Sequence, residues 1–168
     1  MAIIIYGMKC PLCDNSLEEG DEIVAFSPFV ANELDPLFIF SDGAFHAKCF
    51  RLHPLSGRAQ ERYEESLTQL SPNNRYCVVC KREIKTPEDY FVIGKLVEDN
   101  SDPLHHFNYT QAHRSCLTKW AELPYVYELL EDLKQSGAWR GKYLDRLLIE
   151  LRSALSFDPP DSNFGLSV

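Results

Sequence analysis

The sequence predicts an α+β chain in which two small units of similar plan stand in tandem, with one helix between them and two after them. Three observations predict it. The pairs Cys10-x-x-Cys13 and His46-x-x-Cys49 recur as Cys77-x-x-Cys80 and His113-x-x-Cys116 at a constant offset of 67 residues. Each set frames short apolar runs bounded by turn residues, which read as strands. The remaining chain places apolar residues at steps of three and four, the period of an amphipathic helix.

The offset extends beyond those pairs without a gap. It carries Asp35-Pro36-Leu37 onto Asp102-Pro103-Leu104, Val30 onto Val97, Phe40 onto Phe107 and Leu17 onto Ile84. All six cysteines and two of the five histidines fall inside the pattern, so chance spacing is a poor explanation and an internal repeat is expected.

The first unit spans residues 1–54. Its Cys10-Pro11-Leu12-Cys13 turn is a metal-binding knuckle, the apolar runs 22–29 and 37–40 read as a hairpin with its loop at 32–36, and 45–52 read as a helix. His46 and Cys49 stand at i and i+3, which places them on one face of a helical turn. Knuckle, hairpin and then a helix supplying the last ligands is the order of treble-clef zinc folds.

Residues 55–74 form a linker helix on the stripe Ala59, Tyr63, Leu67 and Leu70, stopped by Ser71-Pro72-Asn73-Asn74. The second unit, residues 75–122, repeats the plan with its hairpin loop at 99–103. Residues 123–157 carry two helices, over 125–135 and 139–157, split by Ser136-Gly137. Leu144, Leu147, Leu148, Leu151 and Leu155 make a 3-and-4 stripe that packs on the preceding helix and the fingers. Asp158-Pro159-Pro160 stops it, leaving 158–168 as a tail.

A hydrophobic content of 45% marks a folded chain, yet units of this size bury too little surface to rely on a core alone. Metal supplies the difference. No run approaches the roughly 18–20 apolar residues of a membrane span, and the apolar start is too short for a signal-peptide core. The expected compartment is therefore intracellular and cytoplasmic, where reduced thiols act as metal ligands rather than as disulfides.

Zinc binds Cys and His tetrahedrally, and four protein ligands close the shell where a catalytic site would keep a position for water. Two structural zinc ions per chain are expected, on Cys10, Cys13, His46 and Cys49 and on Cys77, Cys80, His113 and Cys116. A thioredoxin-like Cys-x-x-Cys needs no His-x-x-Cys partner, and a zinc deaminase needs a His-x-Glu that neither set supplies. A cross-braced RING arrangement is disfavoured because residues 50–76, with their own helix signal, separate the two sets. His53, His105 and His106 match no histidines in the other unit. They read as surface or packing residues, the sharper alternative being a nuclease of the His-Me class with a catalytic histidine on the second hairpin.

Cys10-x2-Cys13, Gly20, the long hairpin and Phe45-His46-x2-Cys49-Phe50 resemble the tandem zinc fingers of poly(ADP-ribose) polymerases. The ending Phe-His-x-x-Cys-Phe is similar to the first zinc site of LIM domains, a likeness that stops after Cys49, where no second set begins. The polymerase-type resemblance implies recognition of DNA breaks through basic and exposed apolar residues.

Charge argues against that role. The chain carries a formal −8, and residues 9–54 hold Lys9, Lys48 and Arg51 against eight carboxylates, the wrong sign for a phosphate clamp. Lys81, Arg82, Lys85 and Lys95 form the one basic patch. The expected function is thus non-enzymatic recognition of a protein partner, with Phe26, Phe29 and 38–40 as candidate contacts. A nucleic-acid-binding finger pair and a ubiquitin-ligase-like zinc adapter are the alternatives.

Overall fold

The structure, a computed structural model, describes residues 4–156. Strand β1 (Ile23–Ala25) pairs antiparallel with β2 (Ala44–His46), Ile23 opposite His46. Strand β3 (Tyr90–Val92) pairs with β4 (Gln111–His113), Tyr90 opposite His113. Bounds and register both follow the offset of 67.

The expected second strand over residues 37–40 is not formed. Asp35 Oδ1 accepts the Leu37 N–H at 2.8 Å, and the N–H groups of Phe38, Phe40 and Ser41 close i→i+3 bonds. Those donors are spent inside a 3-10 turn, Phe38–Phe40, and none is left for a ladder. Asp102 and Leu104 repeat the contact at 2.8 Å at the start of the turn Pro103–Phe107. The strand lies further on, at Ala44–His46, so each hairpin encloses a longer loop than expected.

His46 and His113 close their strands instead of opening a helical face, with extended ψ of 130° and 137°. After His46 comes helix α1 (Ala47–Leu52); after His113 the matching stretch, Arg114–Lys119, is a 3-10 turn.

Helix α2 (Ser56–Gln69) buries Ala59 in the first core, but Leu67, expected on the buried stripe, is exposed. Arg62 and Ser66 are buried in its place. Helix α3 (Leu123–Gln135) starts 67 residues after α2, so the offset reaches the helix that follows each hairpin. Helix α4 (Lys142–Leu155) starts three residues later than its stripe suggested; Phe157, the expected end, lies outside the described residues. Leu144, Leu147, Leu148 and Leu151 are buried as expected, while Leu155 is exposed.

Two cores result. The first gathers Phe26, Phe40, Phe45 and Phe50 with Leu17 and Leu37, and the Tyr63 ring meets Phe26 edge-on at 5.0 Å. The second joins Phe91, Ile93, Phe107 and Trp120 to Val126 and Leu130 of α3 and the α4 leucines.

Polar groups tie each unit to the segments beyond it. The Asn32 side chain donates to Ala138 O at 2.9 Å and accepts from Arg140 N at 3.0 Å. Gln111 donates to Gln69 O and Asn74 O, both at 3.0 Å. Gly141, at φ +115°, meets this seam so closely that a Cβ would lie 3.2 Å from Ala31 O, and glycine fits both demands.

Candidate metal centres

Each knuckle is a tight turn built by its backbone. Cys10 N–H donates to Asn15 O and Asp14 N–H to Cys10 O, each at 2.9 Å; Cys77 to Arg82 O and Lys81 to Cys77 O repeat both distances. Asp14 and Lys81 take left-handed φ of 61° and 59° at the same place in the turn. The hairpin then returns a histidine and, three residues on, a cysteine to the knuckle.

Sequence reasoning named eight ligands, and the structure gathers them into two groups of four. In Cys10, Cys13, His46 and Cys49, and again in Cys77, Cys80, His113 and Cys116, the donor atoms lie within 4.8 Å of one another. His46 Nδ1 stands 3.4 Å from Cys13 Sγ and 4.0 Å from Cys49 Sγ; for His113 the distances to Cys80 and Cys116 are 3.4 and 3.9 Å. Donors roughly 2.0–2.3 Å from a shared tetrahedral ion would stand about 3.4–3.8 Å apart, so both sets fit a zinc-sized cation.

Electrostatics point the same way. Burial pushes the Cys10 thiol up, but N–H groups of His46, Leu12 and Cys13 outweigh it and bring the thiol down to about 7. Cys77 is lowered by the corresponding balance of burial against the N–H groups of Cys80, His113 and Val79. The opposite holds for Cys49, raised to about 11 by its hydrogen bond with Cys13 and by burial, and for Cys116, raised to about 11 by burial and by Cys80. The bond to Cys10 raises His46 to about 9. Crowded thiols that cannot all ionise alone can do so around a divalent cation.

The outer atoms differ between the centres. His46 Nε2 lies 3.2 Å from Ser16 O and 3.3 Å from Asp21 Oδ2, contacts the sequence did not reveal. Of the other histidines, His53 Nδ1 accepts the Leu55 N–H at 3.2 Å and its ring packs on Phe40. His106 packs on Phe107, and neither it nor His105 belongs to a metal-ligand group among the described residues. The basic patch is thinner than the sequence suggested, because Lys95 is turned inward between Glu65 at 2.7 Å and Glu98 at 3.0 Å.

No helix among the described residues is long and apolar enough to cross a membrane. Comparison with protein-family models, with curated proteins and with solved structures finds no match to this chain.

Proposed function

We propose that this chain is a non-catalytic zinc module of two treble-clef units related by internal duplication, and that it recognises a protein partner in a reducing, intracellular compartment. The convergence of four protein donors in each cluster carries the reading, since a shell closed by protein leaves zinc a structural task. The metal would supply the stability that units of this size lack, by coupling its binding to folding. Knuckle, hairpin and a following helical turn, in the same order twice, support the fold assignment.

Surface chemistry supports the choice of partner. Leu34, Phe38 and Ile39 stand 46%, 39% and 43% exposed on one turn of the first unit. Their counterparts at the offset of 67 are Ser101, His105 and His106, so the second unit keeps the turn and lacks the apolar group. Glu33, Asp35 and Asp42 flank it, Glu33 paired with Arg140 and Asp35 with Arg62, so the surround offers no surplus of positive charge to a phosphate backbone and suits an apolar protein surface.

Two measurements test this. Native mass spectrometry should find two zinc ions per chain; a single zinc or an iron signal overturns the metal assignment. A protein captured from the native host by the wild type and lost with Phe38→Ser/Ile39→Ser supports the recognition role. Tight binding of nicked or intact DNA at moderate salt, unaffected by those substitutions, would replace it with the nucleic-acid reading.

A further inference from the structure

The two centres share their donor geometry but not what stands behind the histidine. The His46 ring presents Nδ1 to the thiols, while Nε2 hydrogen-bonds Ser16 O at 3.2 Å and stands 3.3 Å from the Asp21 carboxylate. With acceptors on that side, the proton belongs on Nε2 and the Nδ1 lone pair points at the metal position. Asp21 is itself fixed, because its Oδ2 accepts the Glu18 N–H at 2.7 Å and its own N–H donates to Glu18 O at 3.1 Å.

The second centre has no such arrangement among the described residues. Asp21 corresponds to Glu88, which lies in the 3-10 turn Pro87–Asp89 and makes no bond to His113. The cause lies one residue earlier. Gly20 takes φ +102°, folding the turn so that Asp21 meets His46, and its counterpart is Pro87, whose ring excludes that φ. The neighbouring acid of the second unit is used differently: Asp89 accepts from Ser115 N at 2.9 Å and Ser115 Oγ at 3.1 Å.

We infer that Asp21 is a positioning residue for the first metal centre alone: Ser16 O takes the Nε2 proton, and the Asp21 carboxylate 3.3 Å away holds the ring electrostatically and strengthens that site's grip on its ion. The inference rests on the zinc reading above. It makes the two centres unequal by design of the turn that precedes them, although their ligands are the same.

The test titrates the zinc-loaded chain with a chromophoric chelator for the wild type, Asp21→Ala, Asp21→Asn and, as a matched control, Glu88→Ala. Asp21→Ala should weaken one of the two sites by about 10-fold and leave the other unchanged, the low end of the effect of losing an outer partner of a ligand. Asp21→Asn, which keeps an acceptor oxygen without the charge, should fall between. Glu88→Ala should move neither site. In nitrogen-edited NMR, the His46 Nε2–H resonance should stay detectable in Asp21→Ala, since Ser16 O still accepts it, but shift from its wild-type position as the neighbouring charge is lost. The cobalt-thiolate absorption of the cobalt-loaded variant should persist, since no ligand is removed. The inference is overturned if Asp21→Ala leaves both affinities within about twofold of wild type, or lowers both equally as general destabilisation would. A wild type that binds no zinc instead defeats the underlying reading, and the untreated protein reveals that before any variant is compared.

Discussion

Ser41 and Asn108 stand 67 residues apart and do one task with different atoms. Ser41 Oγ accepts the N–H groups of Phe29 and Val30 at 3.0 Å each and donates to Val30 O at 2.8 Å. Asn108 Oδ1 accepts from Leu96 and Val97 while its Nδ2 donates to Val97 O at 2.8 Å. Each side chain pins the strand exit of its hairpin. Ser41→Ala leaves three backbone groups of a half-buried bend without partners and should cost about 1–3 kcal/mol, read by urea denaturation of the zinc-loaded protein. Cys13→Ser has a larger consequence, because it breaks the first centre: the variant should hold one zinc and lose the NMR dispersion of the first core while keeping that of the second. A folded Cys13→Ser chain with two metals bound would contradict the assignment. The cysteines and metal-facing histidines were legible in the sequence because ligand chemistry fixes both residue type and spacing. Ser41, Asn108 and Asp21 were not, since many polar residues can fill such positions and only the folded path selects one.

At the scale of elements, helices α2 and α3 occupy equivalent places yet meet different neighbours. The positions of Arg62 and Ser66 on α2 correspond to Leu129 and Leu133 on α3, which join the apolar core that α4 completes. The α4 leucine stripe was legible because four buried positions at helical spacing demand a partner, and α3 is adjacent in sequence. Leu151 has no exposed surface there. Leu151→Ala should destabilise by about 2–5 kcal/mol, checked by chemical denaturation, whereas exposed Ile149→Ala should change little. The stripe on α2 misled at Leu67 because a helix between two bodies buries two faces, and the second face, at Arg62 and Ser66, is polar. The 3-10 turn at Phe38–Phe40 misled for a related reason: its continuous apolar run suits a buried strand, but Asp35 bends the chain first.

Across the whole molecule, a network of charges spans the seam. Arg62, 6% exposed, bonds Asp35 of the first unit and Glu98 of the second, and Lys95 bonds Glu65 and Glu98. Burial raises the Glu98 carboxyl, but Lys95 and Arg62 outweigh it and hold it below the usual carboxylate range. Its folded pKa is thus depressed, so its contribution is present above the unfolded value of about 4.3 and is lost as pH falls through the folded value. The stability difference between wild type and Glu98→Gln should accordingly be present at neutral pH and shrink below about pH 4. Equal differences at both pH values would exclude this role. Nothing local in the sequence announced the seam, because it joins residues as far apart as Asn32 and Ala138.

Helix α4 has no counterpart in the first unit, where the second unit itself covers α2. The helix that follows each hairpin is thus covered by different means, α2 by the second unit and α3 by α4. Its inward leucines close the apolar face of α3, and its outward side carries charge. A chain truncated after Gly141 should therefore keep the first metal cluster yet expose the apolar face of α3 and self-associate, which size-exclusion chromatography would read.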